Sequence, residues 1–202
     1  RNKILKKFLI GILLITLMLV GGIVYFIKTP MPFVKKVKYD GPPVLIENLK
    51  NHVKMMVETK EPRNYKNPHI LRAVSNSISG HFSRYCDLVD KQKYAVEDKE
   101  YENVLCQING SEQTPKDKIQ KFVIGAHYDV FDDLPGADDN ASGVAGLLEL
   151  VRMFRDKLPQ NGITYEFVAY TLEEPPFFRT PHMGSAVHAK SLSSNPEQVI
   201  GM

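Results

Sequence analysis

The chain has 202 residues, of which 43% are hydrophobic, and this size is sufficient for one globular domain with its own core. Its formal net charge of +3 is unevenly distributed, because residues 1–38 carry eight basic side chains and no acidic one. The residues from Tyr39 onward carry 18 Lys and Arg against 23 Asp and Glu, a net of −5, so the charge gives no reason to expect nucleic acid as a partner. The chain starts with Arg and stops at VIGM in mid-pattern, which leads us to expect a fragment of a longer protein.

Residues 8–27, FLIGILLITLMLVGGIVYFI, form an uncharged run of twenty residues. As a helix this run extends about 30 Å, the thickness of the hydrocarbon core of a bilayer. A cleaved signal peptide and a buried core helix are the alternatives. The segment GGIVYFIKTPMP offers no convincing cleavage site, so we predict a single transmembrane helix that anchors the chain in the lipid bilayer.

Basic residues flank this run on both sides, four before it in residues 1–7 and four after it in residues 28–38. Cytoplasmic flanks favour such charge, so we predict a cytoplasmic N-terminal tail at residues 1–7 and an extracytoplasmic domain, periplasmic or extracellular. Residues 28–43 hold four prolines and four lysines without apolar periodicity, which predicts a linker. The domain is expected to occupy residues 44–202.

The pattern of that domain alternates between helices and strands. Apolar residues recur at helical spacing over 45–57 and 71–82, and the second helix begins at Asn67-Pro68. Alternating residues predict strands near 84–96 and 101–108, and more apolar strands at 121–130 and 163–172 lie on either side of a helix over 144–154. A strand, helix and strand of this kind predict a parallel crossover and a layered α/β domain.

The only two cysteines, Cys86 and Cys106, fall in neighbouring segments that resemble strands. In an exported domain they could pair, and the closed loop would stabilise the fold by about 3 kcal/mol. Two unpaired buried thiols are an equal alternative, because nothing in the sequence determines the strand register.

Polar residues collect where the predicted parallel strands end, which is the edge where ligands bind in such sheets. His127 and Asp129 come at the end of the first of these strands. Residues two apart in an extended strand share a face, so the carboxylate can orient the imidazole, as a partner of a metal-binding histidine commonly does.

The segment PGADDNASGVAG then places Asp138, Asp139 and Asn140 before the helix. Capping of that helix needs one such residue, and two adjacent carboxylates repel each other unless a cation lies nearby.

Glu173 and Glu174 follow the next strand and precede Pro175-Pro176, where both side chains can reach one site by different routes. One could bind a metal while the other handles a proton. Together the three groups supply one nitrogen and several carboxylate oxygens, a donor set that suits zinc or a related divalent ion.

The segments IGAHYDV, PGADDNASGVAGLLELVRMF and TLEE, in this order and spacing, resemble the co-catalytic two-zinc aminopeptidase family, which includes glutamate-carboxypeptidase-like and transferrin-receptor-like proteins. The continuation EEPPFF, followed by HMGSAVHA, is similar to a bacterial subgroup of aminopeptidases. The resemblance implies that His127 and Glu174 each bind one zinc ion and that Asp139 bridges both. It further implies that Glu173 is the general base and that Asp129 orients His127.

The resemblance also implies a three-layer α/β sandwich with a mixed, largely parallel central sheet. The expected activity is hydrolysis of peptide bonds in peptide or protein substrates, in which Glu173 deprotonates a water that bridges the two zinc ions. The family often has a cis peptide bond at the position of Asp139-Asn140.

Two further ligands of the family, an acidic residue on the next strand and a distant histidine, have no matching positions in this sequence. We therefore expect a chain truncated before its last ligands and inactive by itself. Two alternatives stay open: a glutaminyl-cyclase-like enzyme, which shares the fold and uses one zinc, and a receptor-like ectodomain without catalysis.

Overall fold

A computed structural model describes residues 2–28, 40–110, 115, 118–156, 159, 161–194 and 198–201. It divides into two units, Arg1–Asp40 and Gly41–Met202. Helix α1, Asn2–Lys28, is the element of the first unit and includes the whole predicted span at residues 8–27. Its segment Leu5–Lys28 is long and apolar enough to cross a membrane. Most of the predicted linker, residues 29–39, lies outside the described residues.

The second unit begins with two helices and three strands and then alternates between helix and strand. Its helices are α2 (Ile46–Val57), α3 (Pro68–Phe82), α4 (Ser142–Arg155) and α5 (Gly184–Leu192). Its strands are β1 (Leu88–Val96), β2 (Lys99–Asn109), β3 (Gln120–His127), β4 (Ile163–Tyr170) and β5 (Gln198–Gly201).

The five strands form one mixed sheet in the order β1-β2-β4-β3-β5. β2 runs antiparallel to both of its neighbours, whereas β3 pairs in parallel with β4 and with β5. Four of the five strands therefore share one direction, and β3, α4 and β4 make the predicted parallel crossover.

Helices cover both faces of this sheet, so the predicted three-layer α/β sandwich is confirmed. On one face α2, α3 and α4 enclose the main core, whose fully buried members include Phe82, Val104, Leu148 and Phe167. On the other face a smaller cluster of Val123, Val168 and Tyr170 contacts Leu192 of α5.

The strands end earlier than the sequence pattern predicts because the chain changes hydrogen-bond partners. β3 stops at His127 rather than near residue 130, since the amide of Val130 donates to the carbonyl of Arg63 at 3.1 Å. β4 stops at Tyr170 because the amide of Thr171 donates to the side chain of Asn103 at 3.2 Å. These departures from the sheet direct the following residues toward its edge.

Cys86 and Cys106 form a disulfide, so the alternative of two unpaired thiols is excluded. Cys106 lies in β2 opposite Val89, and Cys86 lies just before β1. The register that the sequence left open thus brings the two side chains together.

A buried ionic network lies between the sheet and α5. The carboxylate of Glu166 contacts Lys121 at 2.8 Å, His188 at 3.1 Å and Gln107 at 2.6 Å. The hydroxyl of Tyr170 lies 3.1 Å from the other ring nitrogen of His188. Burial by itself raises the pKa of the Glu166 carboxyl, but the hydrogen bonds with His188 and Lys121 outweigh it and lower the pKa to about 2.

Glu166→Gln is expected to lower the free energy of unfolding near pH 7 by about 3 to 5 kcal/mol, because it removes the buried carboxylate that contacts Lys121 and His188. The folded pKa is depressed from 4.5 to about 2, so this stabilisation is present above pH 4.5 and is lost as the pH falls through the folded value. Denaturant unfolding of the wild type and of Glu166→Gln should show their difference in unfolding free energy narrowing as the pH falls from 4.5 to about 2.

Glu100→Gln is the matched control, because Glu100 is about half exposed and pairs with Lys93 and Arg72 on the surface. It should cost less than about 1 kcal/mol at any of these pH values. If the unfolding free energies of the wild type and Glu166→Gln differ by the same amount at pH 6 and at pH 2, the lowered pKa of Glu166 is not the source of this stabilisation.

Candidate metal centre

Three predicted ligands converge at one edge of the sheet. His127 is the last residue of β3, Glu174 follows the end of β4, and Asp139 lies in the irregular turn Ala137–Ala141 that precedes α4. One ligand atom from each of the three lies within 4.8 Å of the others. Nε2 of His127 is 3.0 Å from Oδ1 of Asp139 and 4.0 Å from Oε1 of Glu174.

The three side chains differ in exposure, and this gives the cluster an open side. The side chains of His127 and Glu174 are 18% and 17% exposed, whereas that of Asp139 is 75% exposed. The cluster is therefore enclosed by the protein at the strand ends and open to solvent beside Asp139.

Asp129 lies behind this cluster with a side chain that is 3% exposed. Its Oδ1 is 3.4 Å from Nδ1 of His127, and its Oδ2 accepts a hydrogen bond from the backbone amide of Glu174 at 3.1 Å. Nδ1 of His127 also lies 3.3 Å from the backbone carbonyl of Asp129, so Asp129 contacts both strand ends and leaves Nε2 of His127 directed toward Asp139.

In the turn before α4, the residue that caps the helix is Asn140 and not one of the two aspartates. Oδ1 of Asn140 accepts a hydrogen bond from the amide of Gly143 in the first turn of α4 at 3.0 Å. Because Asn140 performs this capping role, Asp139 is available to the cluster. The peptide bond between Asp139 and Asn140 is cis, as the resemblance implies.

The electrostatics of the site favour a bound cation. Burial lowers the pKa of His127, but the neighbouring carboxylates, with Asp129 first, outweigh it and raise this pKa above its ordinary value. Burial and the charge of Asp139 raise the pKa of Glu174. A cation would relieve this repulsion, and one imidazole with two carboxylates is a donor set that zinc accepts, so the residues fit the metal that the resemblance implies.

Glu173 is held apart from these three ligands. Its Oε1 accepts a hydrogen bond from the amide of Ser185 at 2.7 Å, and its Oε2 accepts one from the hydroxyl of Ser185 at 2.8 Å. Burial raises the pKa of Glu173, although the bonds with Ser185 oppose this rise. The two adjacent glutamates therefore occupy different environments, one at the cluster and one at the start of α5.

Ser185 was not among the predicted site residues, and the signal for it was the adjacent glycine in HMGSAVHA. A side chain at Gly184 would meet the carbonyl of Thr171 and the side chain of Asn103 at less than van der Waals distance. The side-chain amide of Asn103 donates to the backbone carbonyl of Gly184 at 2.9 Å. Only this close approach of α5 to the strand ends places Ser185 beside Glu173.

Comparison with known proteins shows what part of this chain is similar to. Residues 103–200 match Peptidase family M28. The uncharacterized protein YfbL of Escherichia coli (strain K12) is 34% identical over 206 residues, which cover 98% of this chain and 60% of that protein.

Two solved structures share the fold. A leucine aminopeptidase precursor from Bacteroides thetaiotaomicron VPI-5482 has a TM-score of 0.62 at 20% identity, over 81% of this chain and 63% of that one. A glutaminyl cyclase from Fimbriiglobus ruber has a TM-score of 0.59 at 18% identity, over 82% of this chain and 63% of that one.

These findings confirm the predicted resemblance to the co-catalytic zinc aminopeptidase family, and the family segment at 103–200 contains all five predicted site residues. The solved structures, at 20% identity or less, establish the fold alone. The chain spans about three fifths of the length of its Escherichia coli relative.

Asp139→Ala is expected to abolish the rise in thermal midpoint that zinc produces in the full-length protein, because it removes the ligand that contacts His127. Asp138→Ala is the matched control, since Asp138 is an adjacent exposed carboxylate outside the three-ligand cluster. It should keep the zinc-dependent rise. Equal loss in both variants, measured by calorimetry with and without zinc, would mean that the cluster has no specific part in binding.

Proposed function

We propose that this chain is part of a membrane-anchored, zinc-dependent exopeptidase of the aminopeptidase type. The observation that carries the proposal is the convergence of His127, Asp139 and Glu174 at the end of parallel strands, within 4.8 Å of one another. Peptides or proteins would be the substrates, as the match to Peptidase family M28 suggests.

In this proposal His127 and Glu174 would each hold a zinc ion and Asp139 would be a ligand shared by both, with further ligands supplied by the complete protein. Bound zinc would act as a Lewis acid toward the scissile carbonyl and lower the pKa of the attacking water. The 75% exposure of the Asp139 side chain leaves room for it to contact a second ion.

Glu173 is proposed to move the proton. Its pKa is raised by burial, and a proton acceptor works best when its pKa approaches the working pH. It would accept a proton from the attacking water and return it to the leaving amine nitrogen. The two bonds from Ser185 would keep its carboxylate in one orientation during both transfers.

Asp129 is proposed as the residue that positions His127. Its carboxylate lies 3.4 Å from Nδ1 of His127, so the other ring nitrogen, Nε2, stays directed to the metal. The same carboxylate accepts from the amide of Glu174, so it also positions the backbone of a second ligand.

Helix α1 is proposed to be the membrane anchor, with residues 1–7 in the cytoplasm and the second unit outside it. Its length and apolar composition suffice to cross a bilayer, and the large apolar side chains described in it are exposed. A signal sequence would meet the same criteria, so fractionation of the mature protein with membranes is the relevant measurement.

A glutaminyl-cyclase activity is the second candidate, and one observation favours it. The described residues supply three ligands, which are sufficient for a single zinc ion with one open position. The fold is shared with the cyclase from Fimbriiglobus ruber. The two activities differ in product, because cyclisation of an N-terminal glutamine breaks no peptide bond.

The proposal is tested on the full-length protein with peptides that carry free or acetylated N-termini. The wild-type protein should release the first residue from free N-termini alone, and Glu173→Gln should lower kcat by about 10² to 10⁴ with zinc content near normal. Glu174→Gln should lose bound zinc as well as activity. Mass spectrometry of the products and metal analysis are the measurements.

Other outcomes would identify the alternatives. Loss of ammonia from an N-terminal glutamine without hydrolysis would indicate a cyclase, and zinc binding without turnover of any peptide would indicate a receptor-like domain. Loss of zinc in Glu173→Gln, with zinc retained in Glu174→Gln, would mean that the roles of the two glutamates are exchanged.

A further inference from the structure

Arg63 lies in the loop between α2 and α3 and is 1% exposed. Its guanidinium donates four hydrogen bonds, each to a backbone carbonyl. Nε donates to Tyr128 at 2.8 Å, Nη1 to Met56 at 3.1 Å and to Pro135 at 2.6 Å, and Nη2 to Gly136 at 2.6 Å. The planar guanidinium of Arg63 thus joins segments that are distant in sequence.

Two of those segments carry candidate ligands. Tyr128 lies between His127 and Asp129 at the end of β3, and Gly136 begins the turn that contains Asp139. The guanidinium therefore links the backbone next to His127 with the start of the turn that carries Asp139. The side chains of His127 and Asp139 lie 3.0 Å apart, from Nε2 to Oδ1.

The backbone around Arg63 strengthens the same connection. The amide of Val130 donates to the carbonyl of Arg63 at 3.1 Å. The side-chain amide of Asn64 donates to the carbonyl of Asp132. The segment from β3 to the turn is thus attached to the Arg63 loop at its start, middle and end.

Gly136 shows how closely the turn fits around the guanidinium. Its φ of +56° lies in the left-handed region that favours glycine. A side chain at this position would collide with Val130, with the carbonyl of Asp139 and with Nη2 of Arg63. The carbonyl of Gly136 can approach the guanidinium only because no side chain is present.

A buried guanidinium whose hydrogen-bond partners are neutral carbonyls is a costly arrangement, since burial of a charge is unfavourable unless its donors are satisfied. A hydrophobic residue would avoid the cost of a buried charge, but it would leave the four carbonyls without this donor. What the arginine adds is a set of directed bonds that determine the separation of two loops.

We propose that Arg63 is the positioning residue of the metal centre, and that its bonds to Tyr128, Pro135 and Gly136 hold Asp139 at the correct distance from His127. This inference rests on the metal site of the proposed function. Arg63 lies outside residues 103–200, the segment that matches Peptidase family M28. A residue of the preceding helical region would therefore set the affinity of the site.

The test is the affinity of the full-length protein for Zn²⁺, measured by chelator competition, with Co²⁺ absorption as a signature of ligand geometry. Arg63→Lys should weaken Zn²⁺ binding about 10- to 100-fold and alter the Co²⁺ spectrum, because the fork that joins the two loops is lost. Gly136→Ala, which displaces Arg63 from the turn without removing it, should weaken binding in the same direction.

Arg152→Lys is the matched control. Arg152 also donates to a backbone carbonyl, that of Pro43, and it contacts Glu149, but neither partner belongs to the metal cluster. This variant should lower the thermal midpoint of the zinc-free protein while Zn²⁺ affinity stays within about twofold of wild type.

Arg63→Lys could instead keep wild-type Zn²⁺ affinity and an unchanged Co²⁺ spectrum while its thermal midpoint falls. That result would show that Arg63 only stabilises the fold. It would overturn this inference and leave the proposed function standing. Failure of both Arg63→Lys and Gly136→Ala to fold in the presence of zinc would also overturn it, because the effect would then belong to the whole domain. Absence of Zn²⁺ binding by the wild-type protein would overturn the proposed function and this inference with it.

Discussion

The parallel pairing of β3 with β4 is the constraint on which the rest of the site depends. In this register His127 lies opposite Tyr170, so both strands end at the same level of the sheet. The residues that follow each strand must leave the sheet at the same edge, and the crossover through α4 brings the turn with Asp139 to that edge as well. The backbone thereby brings three segments together, although His127 and Glu174 are 47 positions apart in the sequence.

Side-chain contacts then refine this arrangement. Asp129 contacts the imidazole of His127 and the amide of Glu174, so a single buried carboxylate joins the ends of the two strands. Asn140 caps α4 and so leaves Asp139 free of that role. Burial and the nearby carboxylate of Asp139 raise the pKa of Glu174, and a divalent cation would stabilise the charged carboxylates.

Much of the fold follows from local sequence patterns. The crossover was predictable because apolar strands and an amphipathic helix alternate within residues 121–172, and the candidate ligands were predictable because they follow those strands. The position of Asn67 before α3 was predictable from Asn-Pro chemistry. Each of these signals lies within a short window of the chain.

The features that escaped prediction depend on contacts between distant residues. The disulfide of Cys86 and Cys106 requires a register between β1 and β2 that no local pattern specifies. Ser185 reaches Glu173 only because α5 packs closely on the strand ends. Arg63 stands 64 positions before His127, in a loop whose sequence gives no sign of the carbonyls that it contacts.

A crystal structure of the full-length protein, grown with zinc and measured at the zinc absorption edge, would test whether His127, Asp139 and Glu174 form one divalent-metal site. We expect an anomalous peak about 2.0 to 2.2 Å from Nε2 of His127 and from a carboxylate oxygen of Asp139. Glu174 should complete the contacts of that peak or of a neighbouring one. An empty cleft at saturating zinc, or a zinc ion held by residues elsewhere with these three side chains apart, would contradict it.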